Sequence, residues 1–489
     1  MLRPAHRTRF FKATTAYLAI IATLVTGSPL QAAVWVWNGN SGNLADTTQW
    51  SIQTQAGGTF YGAPSGGDAT DQLIFNGVSA FTVQNNWLSA SPDFSMPLVG
   101  GITPFVVNQL QFNNTASGSI IAGSGAIRLA GTTPTIFQNN VGSFTVQPNL
   151  DLTGSLTLGG ALLPYSTAAS GPYGSALGSV NLAGNITEST TGSTISKTSL
   201  GNVTLSGADS FTGATTVTGG TLTLDYTTNN GSKLSSAAAL TLDGAGLIAL
   251  GNATSNSSET VKGLVLGSGA SSVSLTAGGT QTATLDFSSG GLTRTAAGST
   301  IDFTLGGTPT NDTIKLSAAT SAFVGGFATV NGTDWATLVS GVVAPMAAAS
   351  YTVQNSAASW LAAQNITNSA AYSGAAPTVA INSLRFNAPA TSALSVASSA
   401  TLTITGGGIL ETAAVGAFNS TITAGTTSTI HTGLASTSGG DLSIIQNNPL
   451  GSLTINPIIS NNGSTVAALT KSGPGALVLG GANTYTGGT

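Results

Sequence analysis

Only 16 acidic and 12 basic residues are spread over 489 positions, so the side chains that could do chemistry can be weighed one at a time. Asp68 and Asp71 are the closest acidic pair and offer the hard oxygen ligands a calcium ion takes, although solvated turn carboxylates are the simpler reading. Asp302 and Asp312 with Arg294 could meet on neighbouring layers of a stacked sheet, where paired carboxylates and a basic group would suit acid/base attack on a polysaccharide. Isolated charges that discourage strand-edge pairing explain the same three residues more simply. His431 is the only histidine beyond residue 33, and no G-x-S-x-G elbow, H-E-x-x-H helix or phosphate-binding loop accompanies it. Cysteine is absent, which removes thiol catalysis, Cys-based zinc sites and disulfides together. No catalytic, cofactor-binding or metal-binding residue is therefore assigned, and no cofactor is expected.

Other polar and aromatic residues recur in pairs. Lys197 and Lys471, Asp209 and Asn483, and Phe211 and Tyr485 are each 274 positions apart, as are Gly207 and Gly481. The run N-Q-L-Q-F-N from Asn108 to Asn113 matches N-S-L-R-F-N from Asn382 to Asn387 at the same offset. Two units thus carry the same landmarks, which points to a stacked architecture. In such a stack the lysines read as structural groups at a corner of a layer. Asp209 and Asn483 read as turn residues that bond neighbouring amides, and Phe211 and Tyr485 as one aromatic position, with sugar stacking as its alternative use.

The elements that would hold these positions are short strands. Val203-Thr-Leu205, Thr221-Leu-Thr-Leu224, Ala239-Leu-Thr-Leu242 and Thr401-Leu-Thr-Ile404 alternate apolar and small polar residues between Gly, Asn and Ser breaks, the pattern of half-buried strands. Only Pro345 to Ala349 and Ser356 to Ala363 read as helical turns, and no linker clearly divides domains. Regular short strands fit β-sandwiches or a β-helix. The choice falls on the β-helix because aromatics are only 6% of the chain, while Leu, Ile, Val and Ala recur at strand positions as they would in stacked ladders. One continuous helix of this length predicts a rod on the order of 100 Å. Val34 to Gly77, with Trp35, Trp37, Trp50 and Phe75, reads as the cap that covers its first layer.

Residues 1–33 have the form of a secretory signal: Arg3, Arg7, Arg9 and Lys12, then a short apolar run from Ala16 to Val25, then small residues ending at Ala32 or Ala33. The apolar run is well short of the roughly 20 residues of a membrane span, and no later stretch qualifies. Removing the signal leaves 8 basic against 16 acidic residues, a net charge of about −8. That argues against nucleic acid and anionic lipid surfaces as partners. With charged residues at 6% but hydrophobic ones at 41%, the composition is that of a folded chain rather than a disordered one.

The stretch Leu469 to Thr489, L-T-K-S-G-P-G-A-L-V-L-G-G-A-N-T-Y-T-G-G-T, closely resembles the autotransporter-associated β-strand repeat of secreted bacterial passengers. Residues 195–226 resemble a weaker copy that runs on through Thr216 to Leu224. The resemblance implies an all-β, right-handed parallel β-helix exported across the cell envelope, often followed by an outer-membrane barrel. It divides the chain into a signal (1–33), a cap segment (34–80), a β-helix with the first repeat unit (81–226), a middle region (227–381) and a second repeat unit (382–489, core 469–489). The second copy stops before the continuation that the first contains, so a longer protein is expected, with a barrel, more repeats or a sorting tail beyond Thr489. The function it implies is a secreted or surface-displayed, non-enzymatic adhesin-type scaffold meeting glycan or protein ligands at the cell surface. A polysaccharide-degrading, pectate-lyase-like β-helix is the alternative.

Overall fold

The computed structural model describes residues 34–37, 41–43, 50–53, 59–61, 69, 71–76, 79–84, 104–113, 115–160, 178–295, 297–306, 311–317, 322–433 and 440–489. The signal (1–33) and Asp68 lie outside them. The architecture is all-β, with parallel strands stacked layer upon layer, a parallel β-helix.

Alternation in the sequence becomes columns in the structure. Inward-facing side chains of successive strands fall into register: Leu73, Leu110, Ile136 and Leu158 in one ladder, and Val83, Ile121, Val146, Leu182, Leu205 and Leu224 in another. Each of these is at most 1% exposed. Burying an aliphatic side chain contributes about 1.5–3 kcal/mol, and the ladder repeats that gain at every layer while the strands satisfy each other's amides. The Asn108 landmark lies in this scheme: Leu110 and Phe112 point inward, and Phe112 stacks on Phe144 with centroids 3.8 Å apart. Its counterpart carries Leu384 and Phe386, both fully buried in the second unit. The paired glycines are explained by close approach. A Cβ on Gly207 would lie 2.2 Å from the Gly184 carbonyl oxygen, and one on Gly481 would lie 2.6 Å from that of Pro457.

The parallel ladder does not begin bare. Val34–Trp37 pairs in parallel with Gln72–Phe75 on one side and antiparallel with Trp50–Gln53 on the other, and Thr59–Tyr61 adds a further antiparallel strand. Trp37 is fully buried beneath this start.

At the other end the first stack closes in antiparallel strands, Ala322–Phe323, Ala328–Val330, Asp334–Val339 and Val342–Pro345. A second stack, from Thr352–Val353 to Ala476–Leu479, has its own sheets and its own core, in which Leu394, Ile422 and Ile455 form one ladder. The stretch 227–381, read from sequence as one middle region, therefore holds the end of one stack and the start of another. Short 3-10 turns occur at Ala348–Ser350 and Ala357–Ser359, where the sequence allows them, and also at Ala413–Val415. Among the described residues no helix is long and apolar enough to cross a membrane.

The two stacks lie flank to flank and not end to end. Successive layers of the second stack, carrying Arg385, Gly408 and Asp441, meet Asp334, Gly326 and Gly298 of the first, in descending order along the chain. The single rod expected from length is thus corrected to a chain that turns back on itself. The physical reason is the antiparallel closure, whose hairpins offer no parallel edge for the next layer. Trp335, Met346 and Tyr351 of the turn pack with Leu410 and Ile445 of the second stack as a separate small core.

Candidate binding groove and its surroundings

The three residues that sequence spacing offers as acid/base machinery are engaged separately. Asp302, in Ser299–Leu305, accepts from the Thr329 hydroxyl (2.7 Å) and the Gly332 amide (2.8 Å) at Oδ1, and from the Thr304 hydroxyl (3.2 Å) at Oδ2. Asp312 is 3% exposed and accepts from the Ala277 amide at 2.7 Å. Arg294 donates to the Ser299 carbonyl (2.8 Å), lies 4.7 Å from the centre of the Phe327 ring and pairs with Asp441 of the second stack. Each thus fastens a different turn or junction. His431 is half-buried between Thr403 and Ser460 in register, and burial alone lowers its pKa. Asp71 uses its carbonyl to hold the Asn108 and Gln109 amides, and the calcium site suggested with Asp68 falls outside the described residues. No group of three His, Asp or Glu side chains that could hold a metal ion occurs among the described residues.

The repeat pairs occupy matching structural places. Asp209 Oδ1 accepts from the Ile186 amide at 2.7 Å, and Asn483 Oδ1 from the Ile459 amide at 2.8 Å, each reaching the preceding layer. Phe211 is buried in the first core, and Tyr485 packs partly buried on the second, its hydroxyl 2.8 Å from that of Thr489.

Lys197 and Lys471 both stand in inward-facing columns, beside Leu158 and Ile444 respectively. Lys197 is fully buried. Its ammonium donates to the Ser199 and Gly219 carbonyls, both at 2.7 Å, so it ties one corner to the corner of the next layer. Burial lowers its pKa to about 8. Lys471 makes the equivalent bond two residues on, to Gly473, but is exposed. Replacing Lys197 with alanine strands two buried carbonyls and leaves a void, an expected loss of about 2–4 kcal/mol. Lys471→Ala should cost less than about 0.5 kcal/mol. Denaturant midpoints of the two variants measured side by side check the contrast.

Sequence spacing did not foresee a second buried group. Glu259, 1% exposed, accepts from the Tyr226 hydroxyl, the Ser232 hydroxyl and the Lys233 amide. The Lys233 ammonium donates to the carbonyls of Gly207, Asn229 and Gly231. Burial raises the pKa of Glu259 and lowers that of Lys233. The four residues lie within 34 positions, but nothing in their local pattern marks them as a cluster.

A groove of about 650 Å³ lies where the stacks meet. Its first wall carries Asp302, Thr304, Asn331 and Thr333. The second carries Ile445, Asn447, Ser472 and Pro474. The floor is pinned by Asn447 Nδ2, which donates to the Gly332 carbonyl at 2.8 Å. Of the sequence candidates, only Asp302 lines it.

Comparison with known proteins adds a family context. The passenger-associated-transport-repeat matches residues 195–224 and 469–489. Over 205 residues, 40% of this chain, the sequence is 31% identical to the adhesin BmaC autotransporter of Brucella suis biovar 1 (strain 1330). The match spans only 6% of that relative's length. No solved structure matches. The chain thus carries two copies of the passenger-associated-transport-repeat at equivalent places in a parallel β-helix, and in this it resembles autotransporter passengers.

Proposed function

We propose that the chain is a surface-displayed or secreted adhesin-type passenger that works by binding and not by catalysis. The observation that supports this most directly is how the chain spends its few charged side chains. Arg294, Asp312, Lys197 and Asp441 all secure turns, layers or the junction between stacks. The relative's description as an adhesin points the same way. Export through a signal over 1–33 completes the proposal.

The test is display of the chain on a non-adherent bacterial host. Attachment to epithelial cells or matrix-coated surfaces should rise well above that of the empty display vector, and incubation with plant and animal polysaccharides should release no reducing or unsaturated sugar ends. Unchanged attachment would overturn the adhesin reading. Sugar-end release that Asp302→Ala or Arg294→Ala abolishes would establish the polysaccharide-degrading alternative.

A further inference from the structure

We propose that the groove between the stacks is a binding site for an uncharged saccharide. The inference gives the surface-binding reading above a ligand class and a location.

Its chemistry is the basis. A space of about 650 Å³ lies within the range of about 300–1,000 Å³ typical of ligand sites, and accommodates a few sugar rings. Hydrogen-bonding capacity remains on both walls. Asp302 Oδ2 receives a single bond of 3.2 Å, where a carboxylate oxygen can accept two. The Asn331 side chain uses its oxygen on the Leu305 amide, which leaves its two N–H donors, and Asn447 uses its nitrogen on Gly332, which leaves its oxygen. A carboxylate, an amide donor and an amide acceptor on opposing walls match the mixed donor and acceptor character of vicinal hydroxyls. Pro474, exposed on the second wall, supplies apolar surface for the C–H face of a sugar ring.

The same lining argues against other ligand classes. Among the described residues no Lys or Arg lines the groove, so a phosphate, sulfate or uronate would face Asp302 without a counter-charge. One carboxylate falls short of the several that a calcium site normally assembles. Among the described residues no aromatic side chain lines it, so a flat hydrophobic ligand would find no stacking surface there.

The position fits a binding role as well. Neither stack forms the site alone, because Asp302 and Asn331 belong to the first and Asn447 and Pro474 to the second. The turn that brings the stacks together therefore creates the groove.

The test is saturation-transfer NMR on the purified chain with uncharged tetrasaccharides of glucose, mannose, galactose and N-acetylglucosamine, and with tetragalacturonate as the acidic comparison. At least one uncharged probe should receive transfer, and the acidic probe none. Thr333→Trp and Ser472→Trp, which fill the groove from opposite walls, should each weaken that probe at least about tenfold. Both positions are at the surface, and unchanged circular dichroism and melting will show that the fold is kept. Absence of transfer from every uncharged probe, transfer restricted to the acidic one, or equal binding by both tryptophan variants would overturn the proposal. The displayed variants separate it from the broader reading. If attachment of wild type persists in both tryptophan variants and no uncharged probe binds, the groove proposal falls and the adhesin reading stands. If the groove binds its saccharide but wild type attaches to no surface, the adhesin reading falls and the groove stands.

Discussion

Asp441→Ala is expected to destabilise the second stack by about 3–5 kcal/mol and to part it from the first. Asp441 is 2% exposed, and its carboxylate is shared among four donors. The Thr470 hydroxyl bonds both oxygens at 2.8 Å and joins the next layer of the same stack. The Ser443 hydroxyl (3.4 Å) belongs to its own strand, while the Gly298 amide (3.3 Å) and the Arg294 guanidinium come from the other stack. Removing the carboxylate leaves the Arg294 charge at a largely buried junction with no anion, the costly way to break an ion pair. Asp441→Asn keeps the shape and part of the bonding and should cost less. Denaturant unfolding will give the energies. Small-angle scattering should show a larger radius of gyration for Asp441→Ala, and an unchanged radius and midpoint would show that the junction does not depend on this residue.

Asp209→Asn is expected to leave stability unchanged near pH 4 and to raise it by about 3–5 kcal/mol near pH 9. Burial pushes the Asp209 carboxyl up to about 8 from an ordinary 3.8, against the opposing pull of the Ile186 amide and of Lys233. A folded-state pKa above the unfolded one means that the folded chain holds the proton longer. The stability linked to that proton is complete below about pH 4 and is lost as pH rises through about 8. The second repeat carries Asn483 in the equivalent place, holding the Ile459 amide with a side chain that cannot ionise. Asparagine at 209 should do the same work, so the difference between wild type and variant isolates this one group from Glu259, Lys233 and Lys197, which titrate in both. Melting temperatures at half-unit intervals from pH 4 to 9 check it. Parallel profiles for the two proteins would show that Asp209 is not the responsible group.

Much of the stacking was legible because a parallel β-helix writes each layer locally. The alternation in Thr221-Leu-Thr-Leu224 decides which side chains face inward, and the 274-residue offset pairs positions that do the same job, as Asp209 and Asn483 do. Lys197 was harder. Its parity with Ile195 places it inside, where a lysine is not expected, and only the nearby carbonyls of Ser199 and Gly219 make that position tolerable. The turn between the stacks was not legible at all. It rests on partners such as Arg294 and Asp441, 147 residues apart, and on the bare backbones of Gly326 and Gly408, which touch because neither has a side chain. Nothing near any of these residues in sequence announces its partner. The groove inherits that opacity, since one of its walls comes from a stack that begins after the turn.

The flank-to-flank arrangement also has a mechanical side. Among the described residues the stacks share no ladder pairing; side-chain bonds, single amide contacts such as the Gly326 amide on the Gly406 carbonyl, and the small core around Trp335 hold them together. Tension between the two ends of the chain would load these contacts one after another, like the teeth of a zipper, beginning farthest from the turn. The layers bearing the groove and the Arg294 and Asp441 clasp would part before the Arg385 and Asp334 pair, which lies nearest the turn. Such tension would thus change the width of the groove before it unravelled a single layer.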